Sequence, residues 1–498
     1  MEQVRIRILP QGKLVPALKG SPLKDALHSF GVEFPCGGKG SCGKCQVRIL
    51  KGLPEASAFH QSRLEELDLG PDWRLACLTS CEQDMDVEIG QFSEFSARIC
   101  SDESSFEFET REGIAVALDV GTTTMVAQLL DLSNGQVLGV ERMLNPQSRF
   151  GSDLISRLEA ALDKGPELLS NLLREAAGSM VEALMAGQDR KLERVDLVGN
   201  TVMQHFFCGS DIRPLSYYPF ESPNLEAQLF TAKELGWDCS CSQVCFHASI
   251  GSFVGSDILA GILATGMHEK EGYSVLVDLG TNGEIVVGNK DKLLCASTAA
   301  GPAFEGARIS QGMLAVNGAV NSIFSISEKP EFTVIGNEEA LGICGSGLID
   351  AVGVLLEEKR IGQFGEFLKD EERVNVAGPI TMTQGDIQEF QLAKAAIAAG
   401  IEILLDRLGI TPEQVDEIHI AGGFGSYINL DNALRTNMLN FPKEKINKHG
   451  NTALLGAKML LAKGQDISKE ILKCTTHINL EGAADFQDLY VKQMGFEF

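Results

Sequence analysis

Three cysteines fall within the run Pro35-Cys36-Gly37-Gly38-Lys39-Gly40-Ser41-Cys42-Gly43-Lys44-Cys45, and a fourth closes Arg74-Leu75-Ala76-Cys77. The spacing is C-x5-C-x2-C, a long gap, then Cys77. Four thiolates so arranged, Cys36, Cys42, Cys45 and Cys77, can hold a [2Fe–2S] cluster and so move single electrons. The interleaved glycines suit that chemistry, because a loop aiming its N–H groups at sulfides often needs positive φ. Cys81 is the alternative fourth ligand. A zinc site competes for the same thiols, but structural zinc sites usually come as two C-x2-C-like pairs. Cys239, Cys241 and Cys245, with His247 nearby, leave zinc or a second cluster as an alternative, but their spacing matches no established site and they are expected to be buried or spare thiols.

A second chemistry is written twice. A buried run from Ile114 ends in Asp119-Val120-Gly121-Thr122-Thr123-Thr124, and from Ser274 the pattern returns as Asp278-Leu279-Gly280-Thr281-Asn282-Gly283-Glu284. A tight Gly-Thr hairpin offers backbone N–H and hydroxyl donors to phosphate oxygens. The aspartate before it would repel phosphate, so Mg²⁺ and its waters are the natural bridge. Arg194–Asn200, a strand running into a helix, has a later counterpart in Glu417–Gly425. The turn there, Gly422-Gly423-Phe424-Gly425, lets the backbone approach a flat adenine or ribose. Gly301 and Glu305, in a small-residue run after the second hairpin, face either nucleotide or partner. No G-x-x-x-x-G-K-[ST] loop is present, which excludes a P-loop enzyme. The doubled pattern is an internal repeat at domain scale.

The elements that position these residues follow from periodicity. Val4, Ile6 and Ile8 alternate as a strand, and Ser21 can cap a short helix carrying Leu23, Ala26, Leu27 and Phe30. Val47 and Ile49 begin a strand after the cysteine loop, 62–67 reads as a helix, and 85–89 as a last strand. Residues 91–112 are rich in Ser and Glu and read as a linker long enough to let the cluster domain swing. The expected domains are 1–90, the linker 91–112, and 113–498 with halves at about 113–270 and 271–498. A chain of 498 residues exceeds one ordinary core, which agrees with two or three domains. His205, His419 and His477 are expected to be packing residues.

Thirteen cysteines in a chain with no signal-like N-terminus are not a disulfide framework, and a cytoplasmic location is expected. No apolar run reaches the roughly 18 residues of a membrane helix. A net charge of −25 argues against nucleic acid and anionic membranes.

The cysteine loop with its flanking strands resembles the β-grasp ferredoxin. The two Asp-x-Gly-Thr motifs with the Ala-Gly-Gly-Phe-Gly turn resemble the acetate kinase, sugar kinase, Hsp70 and actin superfamily, which binds ATP between two ribonuclease-H-like halves. That likeness implies an α/β ATPase in which Asp119 and Asp278 hold water-bridged Mg²⁺ and one orients the attacking water. Gly121 and Thr122–Thr124 would form the first phosphate motif, Gly280, Thr281 and Asn282 the second, and Gly422–Gly425 the adenosine motif. The two modules together resemble the reductive activators of corrinoid proteins. Members use ATP to reduce an inactive cob(II) corrinoid to cob(I), so a corrinoid protein, a low-potential electron donor and a possible homodimer are the implied partners. The family carries a larger middle region before its first phosphate motif, where this chain has only the linker. For a one-electron step about 59 mV is a tenfold factor, or roughly 1.4 kcal/mol, so reaching cob(I) from an ordinary cluster needs energy input. Two alternatives remain at this level: an ATP-driven donor resembling the 2-hydroxyacyl-CoA dehydratase activators, and a non-hydrolysing electron-transfer adaptor.

Overall fold

The computed structural model describes the chain except residues 1, 31, 33, 90–110, 223, 328, 370, 424, 465, 481, 484 and 497–498. Most of the expected linker and Phe424 of the adenosine turn thus lie outside the described residues. The chain forms two compact units, Met1–Ser96 with Leu144–Leu172, and Ala97–Met143 with Leu173–Phe498.

In the first unit, β1 (Gln3–Leu9) buries Val4, Ile6 and Ile8 by strict alternation. It pairs antiparallel with β2 (Lys13–Leu18). After the cysteine loop come β3 (Gln46–Lys51), β4 (Trp73–Leu75) and β5 (Met85–Ile89). The sheet order is β2-β1-β5-β3-β4, with β1 and β5 parallel at its centre. This is the β-grasp arrangement. Leu23, Ala26, Leu27 and Phe30 are buried against it as expected. Ser21 does not cap their helix, Leu23–Leu27; its hydroxyl donates to the Leu18 carbonyl at 2.6 Å, and Pro22 occupies the cap position. The second helix runs Ala58–Glu66, starting earlier than its apolar pattern suggested, because the Ser57 hydroxyl accepts from the His60 N–H at 3.2 Å.

The turn Pro146–Phe150 and the helix Leu154–Lys164 complete this unit and pack on the cysteine loop. Ser152 donates to the Pro35 carbonyl through both its N–H and its hydroxyl, each at 3.3 Å. Gly37 has φ +64°, and a Cβ there would lie 2.5 Å from the Phe150 carbonyl oxygen, so only glycine fits.

The second unit contains two related sheets. In the first, β6 (Ile114–Val120), β7 (Thr124–Asp131) and β8 (Val137–Leu144) are consecutive neighbours. β9 (Leu192–Gly199) lies parallel to β6, with β10 (Gln228–Phe230) and β11 (Gln243–Phe246) beyond; the order is β10-β11-β9-β6-β7-β8. The second sheet repeats this with β12 (Tyr273–Leu279), β13 (Gly283–Gly288) and β14 (Leu293–Thr298). Val415–Ala421 runs parallel to β12, and Ile446–Lys448 parallel to Val415–Ala421. Each copy is three consecutive strands followed by two parallel ones, the ribonuclease-H-like pattern. The helices Ser256–Thr265 and Thr452–Lys463 share one core with strands of both sheets, including Ala117 and Val126 of the first and Leu276 and Val286 of the second. A larger core joins the second sheet to the helices Gly345–Glu357 and Gln384–Leu408. Among the described residues no helix is long and apolar enough to cross a membrane.

Candidate functional site

The loop cysteines come together in two pairs. Cys45 Sγ lies 3.3 Å from Cys77 Sγ, and the Cys42 thiol donates to Cys36. Each bond favours the thiolate of its acceptor: Cys36 falls to about 4 and Cys77 is lowered, while Cys42 and Cys45 are raised by donating and by burial. Two thiolates on one tetrahedral metal, with bonds of about 2.3 Å, lie about 3.8 Å apart. Two such pairs suit a two-iron cluster, so the donor set fits the group that the spacing implies. Arg63 holds the loop from below, donating to the carbonyls of Gly40 at 3.2 Å and Ser41 at 2.8 Å. Buried Lys24 places a positive charge near Cys77, which also favours its thiolate. Cys81 stands apart. Its backbone pairs with Ser21, burial pushes its thiol up to about 11, and its charged neighbours are Asp25 and Glu82 rather than the loop thiols.

The two phosphate hairpins meet in one cleft of the second unit. Asp119, Gly121 and Thr122–Thr124 line it from the first half, and Asp278, Gly280, Thr281 and Asn282 from the second. The duplication explains the match: Asp119 and Asp278 are each the penultimate residue of their strand, β6 and β12. Thr123 Oγ1 and Thr281 Oγ1 approach to 3.3 Å, and both donate to Glu305 Oε2, at 2.9 and 2.7 Å. Gly422 and Gly423 line the same cleft, whereas Gly301 and Gly425 are not among its lining residues. Gly422 is glycine for a reason of packing: at φ +95° its Cβ would lie 2.2 Å from the Leu279 carbonyl oxygen. A Cβ on Gly423 would meet nothing within 4 Å, so this is the residue of the pair with room for a ligand.

Four further polar lining residues were not singled out as site residues from the sequence: Asn200, Asp257, Glu284 and Asn451. Glu284 follows from strand register, since it pairs with Asp278 across β12 and β13. Asp257 enters on the first turn of the helix Ser256–Thr265. The two asparagines repeat one device. Asn200 caps the helix Thr201–Cys208 through the Met203 N–H and donates to Thr122 Oγ1 at 3.0 Å. Asn451 caps Thr452–Lys463 through the Leu454 N–H and donates to Asp119 Oδ2 at 2.7 Å. An asparagine directly before a helical run was the available signal for both.

Asp119, Asp278, Asp257 and Glu284 resist ionisation. Burial raises Asp119 to about 6, against the opposing hydrogen bond from Asn451. Burial and the Asp119 charge raise Asp278 to about 7; burial with both of these aspartates raises Asp257 to about 8. Glu284 is raised too, by burial and then by Asp257 and Asp278. A cluster of hard oxygen donors that repel one another fits a divalent cation such as Mg²⁺, which would favour their ionised forms.

The thiols outside the loop read differently. Asp196, Cys245 and His247 offer ligand atoms within 4.8 Å of one another, all buried. Asp196, however, is bonded by the Arg194 guanidinium and by His247 Nε2 at 2.8 Å, so its charge is already met by a cation. Cys241 donates to the Gln243 carbonyl at 3.1 Å. His205 is buried and bonded to the Asp211 carbonyl and Ser222, and His419 to His449 at 3.0 Å; both serve packing networks.

Comparisons with known proteins bear on the whole arrangement. A family model described as a 2Fe-2S iron-sulfur cluster binding domain matches residues 6–82. One described as the RACo middle region matches 114–270, and one described as the C-terminal domain of RACo, the ASKHA domain, matches 272–497. The region with the middle description therefore contains the first phosphate hairpin, rather than preceding it as expected. The chain is 34% identical to the corrinoid activation enzyme RamQ of Eubacterium limosum, over 76% of this chain and 70% of that one. It is 27% identical to the [Co(II) methylated amine-specific corrinoid protein] reductase of Methanosarcina barkeri, over 76% of each. Among solved structures, a reductive activator for corrinoid, iron-sulfur protein superposes with TM-score 0.70 at 26% identity, covering 99% of this chain and 98% of that one.

Proposed function

The chain belongs to the family of corrinoid activation enzymes, and on that premise we propose that it uses ATP to reduce the inactive cob(II) corrinoid of a partner protein to the cob(I) state that accepts a methyl group. What carries this reading is the union in one chain of a paired four-thiolate loop and a cleft where hydroxyls from two phosphate hairpins stand 3.3 Å apart. The first is equipment for single electrons, the second for a nucleoside triphosphate.

Cys36, Cys42, Cys45 and Cys77 hold the [2Fe–2S] cluster, which when bound supplies storage and transfer of one electron. Asp119 and Asp278 hold Mg²⁺, which supplies charge neutralisation at the phosphates. Thr122–Thr124 and Thr281 donate to phosphate oxygens, with the backbone of Gly121, Gly280 and Asn282 beside them. Asn451 keeps the Asp119 carboxylate in one orientation, and Asp119 or Asp278 orients the attacking water. Gly422, Gly423, Phe424 and Gly425 flank the adenosine. Binding energy can drive an unfavourable electron transfer only where nucleotide has different affinities for two states of the protein. The cleft suits such coupling, because its acids and hydroxyls come from both halves of the repeat. The partners are a corrinoid protein and a low-potential donor in the cytoplasm, with a homodimer possible.

The test is anaerobic. Reduced protein is mixed with a cob(II) corrinoid protein, and the cob(I) absorbance is followed with and without Mg-ATP. ATP-dependent cob(I), lost in Cys42→Ser, is the expected result. ATP hydrolysis with no cob(I) from several corrinoid partners would remove the corrinoid assignment and leave an ATP-driven donor to another acceptor.

A further inference from the structure

We propose that Glu305 is an internal competitor of the nucleotide phosphates: its carboxylate and a phosphate group claim the same two threonine hydroxyls, so phosphate binding expels Glu305 and shifts the loop that follows it. This rests on the ATP reading above and adds to it the residue that links the cleft to a neighbouring surface.

The argument begins with donor capacity. A threonine hydroxyl carries one hydrogen and can make one donation at a time. Thr123 and Thr281 both spend theirs on a single oxygen, Glu305 Oε2, at 2.9 and 2.7 Å. These are the hydroxyls, one from each half, that stand nearest each other across the cleft at 3.3 Å. An anionic oxygen accepting from both hairpins is what a bound phosphate would also be. Two anions cannot share those protons, and their mutual repulsion in a cleft already crowded with carboxyls opposes any attempt to stack them.

The backbone around Glu305 confines the response. Upstream, Pro302, Ala303 and Phe304 are buried, and Phe304 stands edge-on to Phe390 with ring centroids 5.9 Å apart. Downstream, Ser310 is fixed by Asp386, which accepts from its N–H at 2.6 Å and its hydroxyl at 2.7 Å. Asp386 in turn belongs to the capping box of the long helix Gln384–Leu408. Between these two fixed ends lie Gly306 at φ +81° and the exposed Arg308 at φ +64°. A non-glycine residue in the left-handed region is a strained joint held by its surroundings, and such joints cluster at ligand clamps and switch regions. Movement of Glu305 is therefore taken up at Gly306–Arg308, where a charged side chain faces solvent and can report the cleft's occupancy to a partner.

The test turns on the sign of an affinity change. ATP binding is measured by calorimetry in EDTA and in Mg²⁺ for the parent chain, Glu305→Gln and Glu305→Ala. Removing a competitor strengthens binding, so both variants are expected to bind ATP several-fold more tightly than the parent in EDTA. Weaker or unchanged ATP binding in both variants would overturn the proposal, and with Mg²⁺ present a loss would mark Glu305 as a cation ligand instead. Absence of ATP binding by the parent as well would sink the ATP reading itself, which separates the two failures. Hydrogen exchange of the peptide spanning 300–312 supplies the second readout. It is expected to speed up in the parent on adding ATP and to be already fast in Glu305→Gln. Unchanged exchange in the parent at saturating ATP would overturn the loop's part in the proposal. An unaltered melting temperature in Glu305→Gln shows that the variant is folded.

Discussion

Asp119, Asp257 and Asp278 keep their protons to about 6, 8 and 7, against an ordinary aspartate value of 3.8. Above pH 3.8 the unfolded chain has released protons that the folded chain still holds, so stability falls as pH rises through these values. Buried histidines act oppositely: His28, His60, His205, His268, His419 and His477 are all lowered from 6.5, chiefly by burial, which favours the fold as pH climbs toward 6.5. Above pH 6.5 the histidine effect has ended, but the lowered Cys36 and Cys77 thiols still favour the fold as pH rises toward 9, so the carboxyl effect is isolated between pH 7 and 8 in a Cys36→Ser, Cys77→Ser background. In EDTA the melting temperature is expected to fall across that interval, and Mg²⁺ is expected to recover it, more at pH 8 than at pH 7. Asp278→Asn should raise the stability in EDTA at pH 8 by roughly 2 kcal/mol, or about 2–3 °C in a unit of this length, and shrink the gain from Mg²⁺. A melting temperature indifferent to pH 7–8 in EDTA would show that these acids are not strained against one another. At this scale the sequence carried the site unevenly. Cys36, Cys42, Cys45, Asp119 and Asp278 sit in short motifs whose chemistry is local. Cys77 was chosen over Cys81 from the sequence, and the short helical turn Ala76–Leu78 is what brings its thiol to the loop. Cys81 instead joins the core and pairs with Ser21.

Helix starts do more here than begin helices. Asn451 and Asn200 each use the carbonyl oxygen to cap a helix and the amide nitrogen to steady the first phosphate hairpin. Asn451→Ala should lose about 1 kcal/mol from the cap and leave the Asp119 carboxyl with burial unopposed, raising it further. The expected outcome is a lower melting temperature and weaker Mg-ATP binding that recovers as pH is raised from 6 to 8. Asn451→Ser restores a capping oxygen without the amide that donates to Asp119. It should regain the stability and not the cation affinity at pH 6, and recovery of both would show that the amide on Asp119 has no part in cation binding. The elements themselves were readable where their signals are local: the Gly-Thr hairpins and the strand over 85–89. Glu284 was quoted within a motif yet not placed in the cleft, because its position depends on the register that sets it against Asp278. Asp257 depends on where its helix packs, which no period in the sequence encodes. The helix Ala58–Glu66 was read short because it buries only His60 and Leu64, too few to show a face.

At the scale of the whole molecule, the compact unit that holds the cysteine loop is discontinuous in sequence, since Leu144–Leu172 joins Met1–Ser96. Nothing local in either segment announces the other. The seat is built from a glycine that admits the Phe150 carbonyl, Ser152 bonded to Pro35, and Lys24 bonded to the Arg149 carbonyl at 3.3 Å with its charge 5.5 Å from the Phe150 ring centroid. An outer ion pair, Lys39 with Glu159 at 2.9 Å, closes it. That pair is exposed and screened by water, so it trims the equilibrium of the seat rather than creating it. Reversing one charge replaces attraction with repulsion and should open the seat more often. Glu159→Lys is expected to speed amide exchange over 37–41 by about two- to tenfold, with the iron content of the loop unchanged. Lys39→Glu combined with Glu159→Lys restores the attraction with the net charge of the parent and should return exchange to the parent rate. Glu55→Lys, a reversal at an exposed residue with no part in this ion pair, is the control for charge alone. Equal exchange in parent, single and double variants would mean that the loop is not held by this segment in solution. Restoration by the double variant alone would tie the loop's exposure, and hence the access of any redox partner to its Pro35–Lys39 side, to a contact made across more than a hundred residues of chain.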